Sequence, residues 1–338
     1  MKKNVSFLGL MIITLVFGMS VIVCTSQPQP RPKAQARYLF PDDYMADPAV
    51  HVFNGRLYIY PSHDRKSGIT NNTEGNAFVM IDYHVLSLDD VENGEVTDHG
   101  VILDIEDIPW ATRQLWDNDV AYKDGVYYLY FPARDKDDIF RIGVAIANRP
   151  EGPFIPQPQP IPGSYSIDPC VFEEDGEHYM YFGGMGKFPR EITSSSARVV
   201  KLSQNMLEFA EEPREVIILD ENGKRIAESN NSRRFFEASW MHKYNGKYYF
   251  SYSTGDTHFL CYAIGDNPYG PFTYQGIILT PVIGWTTHHS IVEFNGKWYL
   301  FYHDSRPSGG IDWLRSIKVT ELTYNPDGTI QRISGSIR

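Results

Sequence analysis

The chain has 338 residues, 42% hydrophobic and 14% aromatic, which is ample apolar material for a sizeable core. Its formal charge of −11, with no Lys/Arg cluster, excludes a nucleic-acid or anionic-membrane surface and favours a neutral or cationic partner.

Lys2 and Lys3 precede an apolar run from Val5 to Val23, the pattern of an export signal that the mature fold would lack. An uncleaved anchor fits less well, because the run is short. Cys24 follows in "VIVC", where the lipidated cysteine of a bacterial lipoprotein would stand, although a small residue is usual at the position Val23 holds. Two fates are open, a lipid anchor on Cys24 and simple secretion, and both predict an exported protein, periplasmic, cell-surface or secreted. Residues 25–36 form a Pro/Gln-rich linker with nothing to pack into a core. One domain is then expected over residues 37–338.

From Arg37 onward there is little helical periodicity; short aromatic and β-branched runs are cut by Gly, Pro, Asn and Asp, which predicts an all-β fold. Five runs share one plan: "VHVFNGRLYIYPS", "VAYKDGVYYLYFPA", "VFEEDGEHYMYFGG", "MHKYNGKYYFSYST" and "VEFNGKWYLFYHD". Each reads as a β-hairpin whose Asn-Gly or Asp-Gly turn supplies the positive φ that a tight turn needs. Their glycines, Gly55, Gly125, Gly176, Gly246 and Gly296, are 70, 51, 70 and 50 residues apart, a spacing that suits blades of four strands. "EGPF" and "YGPF", each after an apolar strand, mark blade ends at Phe154 and Phe272. Repeats of this size in an all-β chain predict a five-bladed β-propeller closed around a channel; a long β-sandwich gives no reason for five matching hairpins. Cys170 and Cys261 sit in apolar strand patterns and read as buried packing residues.

The innermost strand of each blade should begin near the channel mouth. Eight residues before the turn glycines stand Asp47, Asp117, Asp168, Ala238 and His288, with Glu237 one place earlier in the fourth unit and Asp119 close by in the second. Taken alone, Asp47 or Asp168 would be a strand-entry residue held extended by the following proline, and Glu237 a surface carboxylate. Agreement of register across the units argues otherwise, because gathered carboxylates repel and are tolerated mainly where the charge is used.

The ordered set "ADPAV", "LWDNDVAY", "SIDPCVF", "FFEASW", "HHSIVEF" and "FYHDSR" resembles glycoside hydrolase family 43, inverting five-bladed-propeller enzymes that release arabinose or xylose from plant polysaccharides. The resemblance runs from Tyr38 onward and implies Asp47 as general base, Glu237 as general acid and Asp168 as the carboxylate that tunes and orients the acid. Relatives often carry Trp-Ala-Pro where this chain has "WDND", which leaves roles for Asp117 and Asp119 undefined. Inversion needs an acid on the leaving oxygen and a base on water at the opposite face, with the carboxyls roughly 6.5–9.5 Å apart. The resemblance also implies Arg306 at the sugar subsite and His288 beside a hydrated ion, often calcium, that braces the site. Trp116, Phe236, Trp240 and Trp285 are candidates to stack on sugar faces, or equally to pack the blades. The expected activity is that of an exported α-L-arabinofuranosidase or β-xylosidase acting on plant cell-wall oligosaccharides or polysaccharides, with no organic cofactor. An endo-arabinanase or galactan-trimming enzyme of the same fold, and a non-catalytic carbohydrate-binding propeller, are the alternatives.

Overall fold

The computed structural model describes Met1 and residues 36–184, 196–255, 257–285 and 287–335. Apart from Met1 and Ala36, the expected signal and linker, Cys24 included, lie outside the described residues. Among the described residues the strands form five sheets, which are the blades of a propeller. The chain enters through β1 (Arg37–Tyr38) and then builds blade 1 from β2 (Met45–Phe53), β3 (Arg56–His63), β4 (Asp82–Leu88) and β5 (Thr97–Asp104). Blade 2 comprises β6 (Asp119–Lys123), β7 (Val126–Arg134), β8 (Phe140–Ala147) and β9 (Ile155–Pro156). Blade 3 comprises β10 (Cys170–Glu174), β11 (Glu177–Phe182), β12 (Arg198–Lys201) and β13 (Arg214–Glu215).

Blade 4 departs from the expected four strands. β14 (Ile218–Leu219) joins its outer edge in parallel with β18 (Phe272–Leu279), beyond β15 (Glu237–Tyr244), β16 (Lys247–Ser253) and β17 (Leu260–Gly265). Blade 5 contains β19 (His289–Phe294), β20 (Lys297–Asp304) and β21 (Ser316–Leu322), and its fourth strand is β1 from the other end of the chain. That pairing, Arg37 with Val319 and Tyr38 with Lys318, closes the ring. It is reinforced by a buried group in which Asp304 accepts from the Tyr38 hydroxyl at 2.7 Å and from Lys318 Nζ at 3.1 Å.

The five predicted hairpins are all present. Phe53 pairs with Arg56, Lys123 with Val126, Glu174 with Glu177, Tyr244 with Lys247 and Phe294 with Lys297, so each loop is the two-residue Asn-Gly or Asp-Gly. In Asn54-Gly55, for example, both φ values are positive, 53° and 78°, the type I′ geometry that matches the twist of the flanking strands. The two Gly-Pro-Phe segments are turns that return the third strand to the fourth in blades 2 and 4, with Phe154 and Phe272 buried under them. Apolar faces pack blade against blade: Val50, Ile59 and Leu86 of blade 1 meet Phe301, Ile317 and Val319 of blade 5, and Tyr130 and Val144 of blade 2 meet Val171 and Met180 of blade 3. Cys170 and Cys261 are buried free thiols within this packing.

Candidate active site

The inner strands start on one face of the ring, around a cavity of about 600 Å³. Asp47, Asp168, Glu237, His288 and Asp117 all line it, so side chains from all five blades converge as the register predicted. The local backbone explains how. Asp47, Asp168 and Ala238 have φ of 50°, 59° and 66°, in the left-handed region. The Asp-Pro aspartates are therefore not held extended by their prolines; the ladders skip between Ala46 and Ala49 and between Glu237 and Trp240, bulges that re-aim the side chains. A non-glycine residue in this region costs on the order of 1–3 kcal/mol, and three at equivalent strand entries mark a face where geometry outweighs stability.

Asp47 is buried and held from several sides. Arg315 Nη1 donates to its Oδ1 at 2.8 Å, Ser62 Oγ donates to its Oδ2, and its own backbone N–H donates to His303 Nδ1 at 3.0 Å. Arg315 is fixed in turn by Asp64, donating from Nε at 2.8 Å and from Nη2 at 2.7 Å. Burial alone would push the Asp47 carboxyl up; the Arg315 and His288 charges and the Ser62 hydrogen bond together hold it well below the usual carboxylate range. Asp47 is thus an anion at any working pH.

Glu237 has the opposite environment. Burial first, then the negative charge of Asp168, push its carboxyl up to about 8 against the pull of His288, so it keeps its proton at neutral pH. Asp168 is fixed beside it, with Oδ2 accepting from the Ala238 backbone N–H at 2.8 Å and lying 3.1 Å from His288 Nε2. His288 Nδ1 lies 3.0 Å from Asp117 Oδ2. Burial opposes a charged ring, but Asp168, Asp117 and Asp47 together raise His288 well above the ordinary imidazole value. Asp117, Asp168 and His288 each bring a donor atom within 4.8 Å of the others. Two carboxylates and a neutral imidazole suit a hydrated divalent cation in donor type and charge, so His288 would give up its proton to hold one.

The structure sorts the remaining expectations. Trp116, Phe236 and Trp285 line the cavity; Trp116 is tied by its indole N–H to the Phe78 carbonyl at 3.0 Å, and Trp285 is 42% exposed. Trp240 does not line it. Its indole is buried, donates to the Ile291 carbonyl at 3.1 Å and packs against His51, so it joins blades and cannot stack on a sugar. Arg306 is likewise absent from the lining and belongs beside Tyr38, Tyr302 and Asp304 at the ring closure. The arginine at the cavity that binds Asp47 is Arg315, which the sequence reading missed. His289 points away to Ser251 Oγ at 2.6 Å, leaving His288 as the histidine of "THHSIV" that faces the channel. Asp119 also turns away, accepting from the Val171 backbone N–H at 2.6 Å and meeting His51 at 2.5 Å.

Other residues at the site were also missed. Asn71, Asn72 and Glu74 in the loop after β3, Arg134 at the end of β7, and Asp312 all reach the cavity. Gly75 packs under Trp116, where an added Cβ would lie 2.8 Å from the ring. A signal for Ser62 and Asp64 did exist: each hairpin's second strand runs back to the face where the first began, so the end of "LYIYPSHD" must lie beside Asp47.

Comparison with known proteins agrees with this geometry. The profile of the glycosyl hydrolases family 43 matches residues 46–330. The chain is 64% identical to a xylosidase/arabinosidase of Bacteroides ovatus, over 90% of this chain and 99% of that one, and 56% identical to a beta-xylosidase of Xylanibacter ruminicola, over 88% and 99%. Among solved structures, CoXyl43, a family 43 beta-xylosidase/alpha-arabinofuranosidase from a compost metagenome solved with xylotriose in a calcium-free form, superposes with a TM-score of 0.86 at 57% identity, covering 91% of this chain and 99% of that one.

Proposed function

The chain belongs to the glycosyl hydrolases family 43, and from that membership we propose that it is an exo-acting β-xylosidase with α-L-arabinofuranosidase activity that works by inversion on xylo-oligosaccharides of plant cell walls. The observation that carries this reading is the contrast between two carboxyl groups on one cavity, Asp47 held ionised by Arg315 and Glu237 held protonated by burial and Asp168. Glu237 donates its proton to the leaving oxygen as the bond to the sugar carbon breaks. Asp47 takes a proton from the water that attacks from the opposite face. Asp168 acts on the acid through its charge and its hydrogen bond: it keeps Glu237 protonated and, through the Ala238 N–H, fixes the strand that bears it. A lectin would have no use for this division of protonation states. Trp116, Phe236 and Trp285 offer apolar faces to the pyranose or furanose rings.

Export through the signal over residues 1–24, with or without a lipid on Cys24, is part of the same proposal, since polymeric cell-wall glycans lie outside the cell. The test is a panel of aryl xyloside, arabinofuranoside and galactoside with xylotriose, arabinan and arabinoxylan, followed by proton NMR of the first product. Release of xylose from xylotriose with an initially inverted anomer is expected. Retention of configuration, or internal cleavage of arabinan alone, would overturn it.

Asp117, Asp168 and His288 would hold a hydrated calcium ion, whose chemistry there is charge and bracing, with the nucleophile still activated by Asp47. Chelation followed by return of calcium is expected to lower and then restore activity and Tm modestly. Total loss that only zinc reverses would replace the two-carboxylate reading with metal-assisted hydrolysis.

A further inference from the structure

We propose that blade 1 carries a transition-metal site of its own, formed by His63, Asp82 and His84 and suited to a divalent ion of the zinc class. The pairing of Ser62 with Tyr83 sets His63 opposite Asp82 one step further along the ladder. His84, two residues on, returns to the same face. One ring nitrogen from each histidine and one carboxylate oxygen of Asp82 lie within 4.8 Å of one another.

The surroundings are those of a ligand set. A metal-bound imidazole commonly directs its other nitrogen to a carboxylate, which fixes the ring and raises its basicity. Both rings are backed in this way. His63 faces Asp82 with Nδ1 at 2.6 Å and Asp43 with Nε2 at 3.2 Å, while His84 Nδ1 meets both oxygens of Asp98 at 3.0 and 3.1 Å. Arg65 binds Asp82 Oδ2, which leaves Oδ1 for an ion in place of the proton it shares with His63. Asp43, Asp82 and Asp98 set three carboxylates against the two imidazoles, with the Arg65 guanidinium on Asp82, and a dication would neutralise the remaining negative charge. His63 and Asp82 are buried, whereas the His84 and Asp98 side chains are 13% and 26% exposed and give an entry path.

Two imidazoles and one carboxylate, with water completing the set, suit zinc, cobalt or nickel; calcium prefers oxygen ligands throughout. The ion's effect follows from its place. It would join β3 to β4 and, through Asp43, to the connection between β1 and β2 where the ring closes. The next residue after His63 is Asp64, which holds Arg315 against Asp47.

Zinc titrated calorimetrically into chelator-stripped protein tests the site, with cobalt absorption reporting the ligand geometry. With calcium added to fill the Asp117, Asp168 and His288 set, one equivalent of zinc is expected to bind and raise Tm, to survive His288→Ala, and to be lost in His84→Ala. Asp98→Asn, which removes only the carboxylate behind His84, is expected to weaken binding about 10–100-fold, and decides the matter if His84→Ala does not fold. No stoichiometric zinc in the unaltered protein, or binding that His288→Ala abolishes and Asp98→Asn leaves untouched, would overturn the proposal.

Discussion

Asp47→Asn is expected to lower kcat by about 10²–10⁴-fold on every substrate while sugar binding and fold persist, because a positioned base contributes that much and makes little ground-state contact with the sugar. The substitution keeps the shape of the side chain and an oxygen that can accept from Arg315. It removes the negative charge that a water-activating base needs. Arg315 is not orphaned, since Asp64 continues to bind it through two nitrogens. The variant should therefore keep its circular dichroism and most of its Tm. A kcat above about a tenth of the unaltered value would remove Asp47 from the role.

The fold was legible because its information is local. Two-residue Asn-Gly and Asp-Gly loops force a hairpin wherever aromatic strands flank them, and five such hairpins at blade-sized spacing leave little but a propeller. The same register located Asp47, Asp168 and His288, since counting back from a turn counts along a strand. Glu237 required one place of correction, and the structure shows why: Ala238, not Glu237, occupies the left-handed position equivalent to the two aspartates. What stayed illegible is long-range. Arg315 lies 268 residues from Asp47, and nothing in "DWLRSIKV" distinguishes it from Arg306 nine residues earlier. Which of two arginines faces the cavity is decided by the path of the loop between β20 and β21. Trp240 was similarly undecidable, because a tryptophan on an inner strand serves a sugar or a neighbouring blade according to which face it takes.

Blade 4 shows how one unit of the repeat was altered to suit chemistry. In blades 1 and 3 the left-handed position bears the carboxylate itself. In blade 4 the carboxylate moves back one residue, and the alanine left at the bulge donates its N–H to Asp168. The Asp168 carboxylate is thereby held on the backbone of the strand that bears the acid, which keeps its charge beside Glu237.

That relation sets the last expectation. Asp168→Asn removes a negative charge beside Glu237, whose carboxyl is pushed up to about 8 first by burial and second by Asp168. Without that charge the ionised form of Glu237 is opposed less, so its proton leaves at lower pH. The alkaline limb of kcat/KM, which reports loss of the acid's proton in the free enzyme, is expected to move down by about one pH unit. The acid limb should hardly move, because Asp47 is kept ionised by Arg315 and His288 far below the working range. Substrate choice separates this from damage to the site. An aryl glycoside with an activated leaving group departs without a proton, so Asp168→Asn and Glu237→Gln should cost it much less rate than xylotriose. His288 also loses a carboxylate partner in Asp168→Asn, but a disturbed His288 would slow both substrates alike. An unmoved alkaline limb with equal losses on both substrates would mean that Asp168 holds the Ala238 strand in place and that burial alone keeps Glu237 protonated.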